Sequence, residues 1–219
     1  WLINLTRQDY PIQKISQIEP FLAQTNYDAF LEYVEVFSDR CNWGIRESKS
    51  RYCYQYKQLI DDLSDRQKDW LRPIKIVNYL QPFFRVNCSY GLTVGFQTKT
   101  PFNENFVCYG GSYFCTLSRK CVQYLDEFTK ANPELVDFYR GVSVSDESFL
   151  QTILVNSKLF NICNDSKRYY DFSQTRHGRP SILTSDRYQS IVNSDAHFAR
   201  KFDTKIDSKI LDLLDEKIL

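Results

Sequence analysis

The sequence predicts an α/β fold, a mixed sheet flanked by helices in one unit over residues 1–219, and three observations carry that expectation. Residues 2–5 are a short apolar run of buried-strand type. Apolar residues recur at helical spacing at Val122, Leu125 and Phe128, at Phe149, Leu150, Ile153 and Leu154, and over residues 206–218. Strand-like segments lie between these runs, with no internal repeat and no low-complexity linker to divide the chain.

In order along the chain, Pro11 biases Tyr10 away from helix, so residues 6–11 read as the loop leaving the carboxyl end of the first strand. Such a loop is a favoured ligand position in open α/β sheets. Residues 16–24 read as helix and residues 30–37 alternate like a strand, whereas residues 41–56, rich in Arg, Lys and Tyr without a clear period, read as irregular or edge structure. Residues 65–80 have helical character interrupted by Pro73, and Gly91 and Gly95 bend strands over residues 86–96. Residues 106–109 read as a strand running into Gly110-Gly111-Ser112. Ser118 caps a helix through about Lys130. A further helix begins near Asp146, with Ser143 and Asp146 spaced as a capping box. Residues 159–172 read as strand and turn, Thr184 caps a helix through about Val192, and an amphipathic helix closes the chain.

Composition narrows the function classes. Hydrophobic residues make up 42% and charged residues 25%, which is ordinary for a folded domain, and the formal net charge of +1 offers no global field for nucleic acid. No apolar run approaches the roughly 20 residues of a membrane span, and the first residues lack the basic region and cleavage site of a signal peptide. The 7 cysteines form no CxxC pair, so reduced thiols are the simpler expectation, with disulfides in a secretory compartment as the alternative. Sequons at Asn4, Asn87 and Asn164 decide nothing. The absence of Met points to an incomplete chain. The 15 Tyr and 16 Phe exceed the needs of a core this size and suit a groove for sugar rings.

Two clusters carry candidate chemistry. Ser145-Asp146-Glu147-Ser148-Phe149 places carboxylates at a helix start, where the positive terminus and unpaired N–H groups favour the ionised form of a base; simple capping is the alternative. His177-Gly178-Arg179-Pro180 and, further on, Phe198-Ala199-Arg200-Lys201-Phe202-Asp203 supply a guanidinium and an ammonium that suit a diphosphate, with ordinary surface ion pairs as the alternative. Gly110-Gly111-Ser112 lacks P-loop or GxGxxG spacing. His177 and His197 are not at HExxH spacing, GxSxG is absent, and there is no Asp-x-Asp to hold a divalent cation.

In order, these pieces resemble the core-2/I-branching β-1,6-N-acetylglucosaminyltransferase family, whose wider group includes peptide xylosyltransferases. INLTRQDYPI (residues 3–12) is similar to the family's INLSGQDFPI, with Arg7 where Gly is usual. GSYF at residues 111–114, followed by LSR at 117–119, resembles GSxYFxLSR. SDESF through Thr152-Ile153-Leu154 resembles PDExFxxTxL, with Ser145 in place of Pro, and FARKFD at residues 198–203 matches the closing motif.

The resemblance implies a glycosyltransferase-A type fold and inverting transfer of a sugar, N-acetylglucosamine in the first instance and xylose or another UDP-sugar as the alternative, to a glycan hydroxyl. It implies no cofactor and no obligatory metal. Glu147 would be the base, and Arg179 and Lys201 would hold the donor diphosphate. Glu32, Tyr169 and Tyr170 would touch the acceptor, with Asp9, Gly111, Ser112, Asp146 and Arg200 on active-site loops. The single displacement agrees with the bare chemistry: one carboxylate takes the proton of the attacking hydroxyl while fixed cations do the electrostatic task of a metal. About a third of the family's domain, bearing the first nucleotide-binding βα units, is expected before residue 3. The partners implied are a UDP-sugar, a glycan or glycoconjugate acceptor and a membrane surface met peripherally, with no nucleic acid. The expected location is the bacterial cytoplasm or the cytoplasmic membrane face, the alternative being the Golgi lumen behind an N-terminal anchor. A non-catalytic glycan-binding protein on the same scaffold is the reading from another class.

Overall fold

The computed structural model describes residues 1–88, 91–173 and 179–219. These residues form mixed α/β structure in two compact units: Trp1–Glu32, Ser112–Gln123 and Lys158–Leu219 make the first, and Tyr33–Gly111 with Tyr124–Ser157 the second.

The first unit holds a four-stranded sheet in the order Leu2–Ile3, Cys115–Leu117, Ala29–Leu31, Ile162–Cys163; its last pair is parallel and the others antiparallel. A three-stranded sheet sets Phe198–Arg200 between Arg168–Tyr169, parallel to it, and Asp9–Pro11, antiparallel. The expected loop over residues 6–11 therefore ends as a strand. Pro11 is tolerated there because that strand is an edge, where a missing N–H costs no ladder bond.

Two helices cover these sheets. Ile15–Gln24 turns Ile18 and Leu22 onto Phe30 and Phe198, and Lys209–Ile218 turns Ile210 and Leu214 onto Ile12, Leu183, Ile191 and Phe202. Each such fully buried aliphatic side chain contributes about 1.5–3 kcal/mol. Thr184 does not cap a backbone N–H; its hydroxyl bonds the Asp186 carboxylate instead, and a 3-10 turn Ser185–Arg187 precedes the helix Tyr188–Val192.

The second unit is built on an antiparallel sheet in the order Tyr54–Ile60, Leu92–Gln97, Phe84–Asn87, with a short pair formed by Val34–Glu35 and Tyr109–Gly110. Residues 41–56 end in the expected edge strand, which starts at Tyr54, but before it they form the helix Gly44–Tyr52, which buries Ser48 and Tyr52 four residues apart. Its inward stripe is half polar, which hides the apolar period. The helix Pro133–Gly141, not anticipated, starts with Pro133 in its first turn and buries Leu135 and Tyr139. Helix Arg119–Ala131 lies where Ser118 announced it.

The expected capping box does not form. Val144 is left-handed (φ 57°), Ser145–Glu147 is a 3-10 turn, and the α-helix begins only at Phe149, running to Ser157. All 7 cysteines are free thiols. Among the described residues no helix is long and apolar enough to cross a membrane.

Candidate active site

In the second unit, side chains four residues apart fasten the helix Phe149–Ser157 and the turn before it to residues 107–111. The Ser148 hydroxyl donates to the Tyr109 carbonyl (2.7 Å), the Tyr109 N–H donates to Thr152 Oγ1 (3.0 Å), and Asn156 exchanges two hydrogen bonds with the backbone of Val107 (2.7 and 2.9 Å). The buried Tyr139 hydroxyl closes the group on Ser148 (2.9 Å) and Thr152 (3.0 Å). The Gly111 N–H then donates to the backbone carbonyl of Glu147 at 2.8 Å, and the Tyr52 hydroxyl donates to the carbonyl of Val144 at 3.1 Å. The turn that presents Glu147 is thus held at both ends.

The Glu147 side chain is half-buried and accepts a 2.6 Å hydrogen bond on Oε2 from Arg51 Nη1. Arg51 is largely buried, pairs also with Glu47 and stacks over the Trp43 ring at 4.2 Å. Burial raises the Glu147 pKa above the ordinary glutamate value, Arg51 opposes the rise, and the nearby charges of Asp146 and Glu47 add to it. This corrects the helix-start expectation of a favoured ionised form. Glu147 ends a 3-10 turn and does not open an α-helix, so desolvation outweighs any helix-terminus field. The result is a more basic carboxylate with one oxygen fixed, which suits a proton acceptor. Asp146 is exposed.

In the first unit the structure brings together Glu32, Tyr170 and Ser112, joined by Ser166, which sequence reading did not single out. Ser166 Oγ donates to Glu32 Oε1 at 2.7 Å, and the Tyr170 hydroxyl lies 2.6 Å from Ser166 Oγ, 3.1 Å from Ser112 Oγ and 3.3 Å from Glu32 Oε1. The Phe114 N–H donates to Ser112 Oγ at 3.2 Å. Glu32 Oε1 thus accepts from both Ser166 and Tyr170, and the Tyr170 hydroxyl connects that carboxylate to Ser112. Burial pushes the Tyr170 pKa up to about 12, so it remains a donor at neutral pH. Tyr169 goes elsewhere, packing against the core around Leu183 and Ile191.

Asp9 and Arg200 face each other in the same strand register. Arg200 Nε lies 3.1 Å from the fully buried Asp9 Oδ1 without hydrogen-bond alignment, so the contact is Coulombic, and the guanidinium lies 4.1 Å from the centre of the Phe114 ring. Lys201 follows, half-buried, and its carbonyl accepts from the Leu183 N–H at 2.8 Å. Arg179 is exposed on the segment leading to Leu183; His177 and Gly178 before it lie outside the described residues. Arg179 and Lys201 therefore belong to the first unit, and Gly111, Asp146 and Glu147 to the second. Among the described residues no three His, Cys, Asp or Glu side chains are grouped as metal ligands.

Arg51 is the main residue that sequence reading missed. Its signal was weak: a basic residue in a helix whose buried face is Ser48 and Tyr52.

Comparison with known proteins bears on this arrangement. A model of the Core-2/I-Branching enzyme family matches residues 1–193, which takes in Glu147 and Arg179 and stops short of Lys201. The chain is also similar to an Arabidopsis thaliana protein named Beta-glucuronosyltransferase GlcAT14B, 30% identical over 222 residues, covering 100% of this chain and 44% of that protein. This chain spans less than half the length of that relative. The family match extends over most of the sequence, and the chain belongs to the Core-2/I-Branching enzyme family.

Proposed function

We propose that this chain carries the catalytic base and part of the substrate site of an inverting, metal-independent glycosyltransferase that moves a sugar from its UDP form to a glycan hydroxyl. The observation that carries the proposal is Glu147 itself: a half-buried carboxylate with a raised pKa, held through Oε2 by Arg51 on a turn fastened at both ends. Family membership supports the reaction class. In the proposed reaction Glu147 takes the proton of the acceptor hydroxyl as that oxygen attacks the anomeric carbon and UDP departs. Arg179 and Lys201 neutralise the leaving diphosphate, the part a divalent cation plays elsewhere. Glu32 and Tyr170, oriented by Ser166 and Ser112, bind acceptor hydroxyls.

N-acetylglucosamine is the first donor sugar to try, on the likeness of the motifs. Glucuronic acid is a second reading, favoured by the name of the Arabidopsis thaliana relative. The test is UDP release by the full protein with a panel of UDP-sugars and simple glycans in EDTA, followed by the anomeric configuration of the product by NMR. Turnover in EDTA with inversion supports the proposal and names the donor. Turnover that vanishes in EDTA and returns with a divalent cation contradicts metal independence, and retention of configuration contradicts the single displacement.

A further inference from the structure

We infer that a cleft of about 310 Å³ on the three-stranded sheet of the second unit binds a pyranose ring of the acceptor glycan, at a sugar other than the one that reacts. The inference rests on the transferase reading and extends it to a second acceptor contact.

The floor of the cleft follows from strand register. Gln58 pairs with Thr93 and Thr93 with Asn87, so an amide, a hydroxyl and a second amide lie in one row across three strands. In the next row Tyr56 pairs with Gly95, and a Cβ on that glycine would meet the Tyr56 ring at 2.5 Å. The missing side chain lets the ring lie over the sheet. The wall is Arg140 to Ser143, where the helix Pro133–Gly141 ends against the sheet through a 2.9 Å hydrogen bond from Gln55 Nε2 to the Phe138 carbonyl. Gln58 Nε2 donates to the Ile60 carbonyl at 2.7 Å and Thr93 Oγ1 to the Asn87 carbonyl at 3.4 Å, which orients the row, and an aromatic ring beside such oriented polar groups matches a pyranose, which offers an apolar face and a rim of hydroxyls.

Charge selects among ligands. Among the described residues Arg140 is the one ionic group lining the cleft, and its guanidinium is paired with Asp137 at 2.5 Å. A nucleoside diphosphate would call for more cations than this, whereas an uncharged polyhydroxyl ring calls for none.

Position ties the cleft to the base. The Ser143 N–H donates to the Arg51 carbonyl at 3.1 Å, and the Tyr56 hydroxyl donates to the neighbouring Ser50 carbonyl at 2.6 Å. The helix end that carries the Arg51 guanidinium to Glu147 is therefore bound by both the wall and the floor of the cleft. Binding energy gained at a remote sugar would orient the reacting one.

The test uses the full protein and β-linked oligosaccharides of galactose, glucose and N-acetylglucosamine from one to four units long. Binding is read by saturation-transfer difference NMR, transfer by product formation, and the donor side by acceptor-independent hydrolysis of the UDP-sugar. Thr93→Phe fills the cleft from its floor, and Gln58→Ala removes one amide with little risk to folding. The longer members of one series should bind about tenfold more tightly than its monosaccharide, and both variants should reduce that gain while leaving hydrolysis and transfer to the shortest acceptor unchanged. Equal affinity at every length overturns the inference, as does a length gain that survives in folded Thr93→Phe. Loss of the transferase reading looks different: no transfer and no hydrolysis with any donor, while length-dependent binding sensitive to Thr93 persists.

Discussion

Arg51 Nη1 sits 2.6 Å from Glu147 Oε2, and the two residues, 96 positions apart in sequence, form the charge pair on which the proposed chemistry turns. Arg51 lowers the pKa that burial raises, so the pair sets the pH at which Glu147 is a free base. Arg51→Met removes that opposing influence. The acid limb of the kcat/KM profile should move to higher pH, with a loss of roughly tenfold at neutral pH and partial recovery in Arg51→Lys. An unmoved limb would show that another group governs it.

Thr152 bridges a helix to the backbone that carries Gly111. In Thr152→Val the Tyr109 N–H loses its acceptor in a buried setting, at a cost of about 1–3 kcal/mol. Chemical denaturation should detect that loss, and a change under about 0.5 kcal/mol would mean that water or Ser148 takes over the bond.

His197 is buried, edge-on to Phe21 at 4.8 Å, and burial lowers its pKa to about 4. The unfolded chain binds a proton near the ordinary value of about 6.5, the folded one only near 4, so stability is lost as pH falls between those values. The loss amounts to at most about 3 kcal/mol. His197→Phe should flatten this part of the stability profile, measured by thermal unfolding from pH 7 to pH 4. An equally steep fall in the variant would assign the acid sensitivity to other groups.

Tyr170→Phe deletes the hydroxyl that links Ser112, Ser166 and Glu32. The acceptor KM should rise about threefold to tenfold with donor KM unchanged, since one hydrogen bond in a binding network is worth about 1 kcal/mol or slightly more. A fall in kcat at constant KM would place Tyr170 in the chemical step instead.

Much of the α/β fold was legible because apolar periods survive wherever a helix or strand buries an apolar face, as at Arg119–Ala131, Phe149–Ser157 and Lys209–Ile218. Helix Gly44–Tyr52 escaped because Ser48 is one of its two buried residues, and no apolar period marks such a face. The capping box was misread since Ser143 and Asp146 have the right spacing, but Val144 between them takes a left-handed conformation that no local pattern announces. Glu147 was found through its motif, and its environment was not: the partner that holds it comes from a distant helix, and burial reverses the direction of its pKa shift. Glu32, Ser112 and Tyr170 were each named separately, while Ser166, which joins them, carried no signal beyond being a serine near Tyr170.

The most direct measurement is single-turnover transfer by Glu147→Gln alongside its affinity for UDP. The amide keeps the size of the side chain and cannot accept the acceptor proton as a carboxylate does. Transfer should fall by about 100-fold or more with UDP affinity within a factor of about two of the parent; turnover near the parent rate would contradict Glu147 as the base.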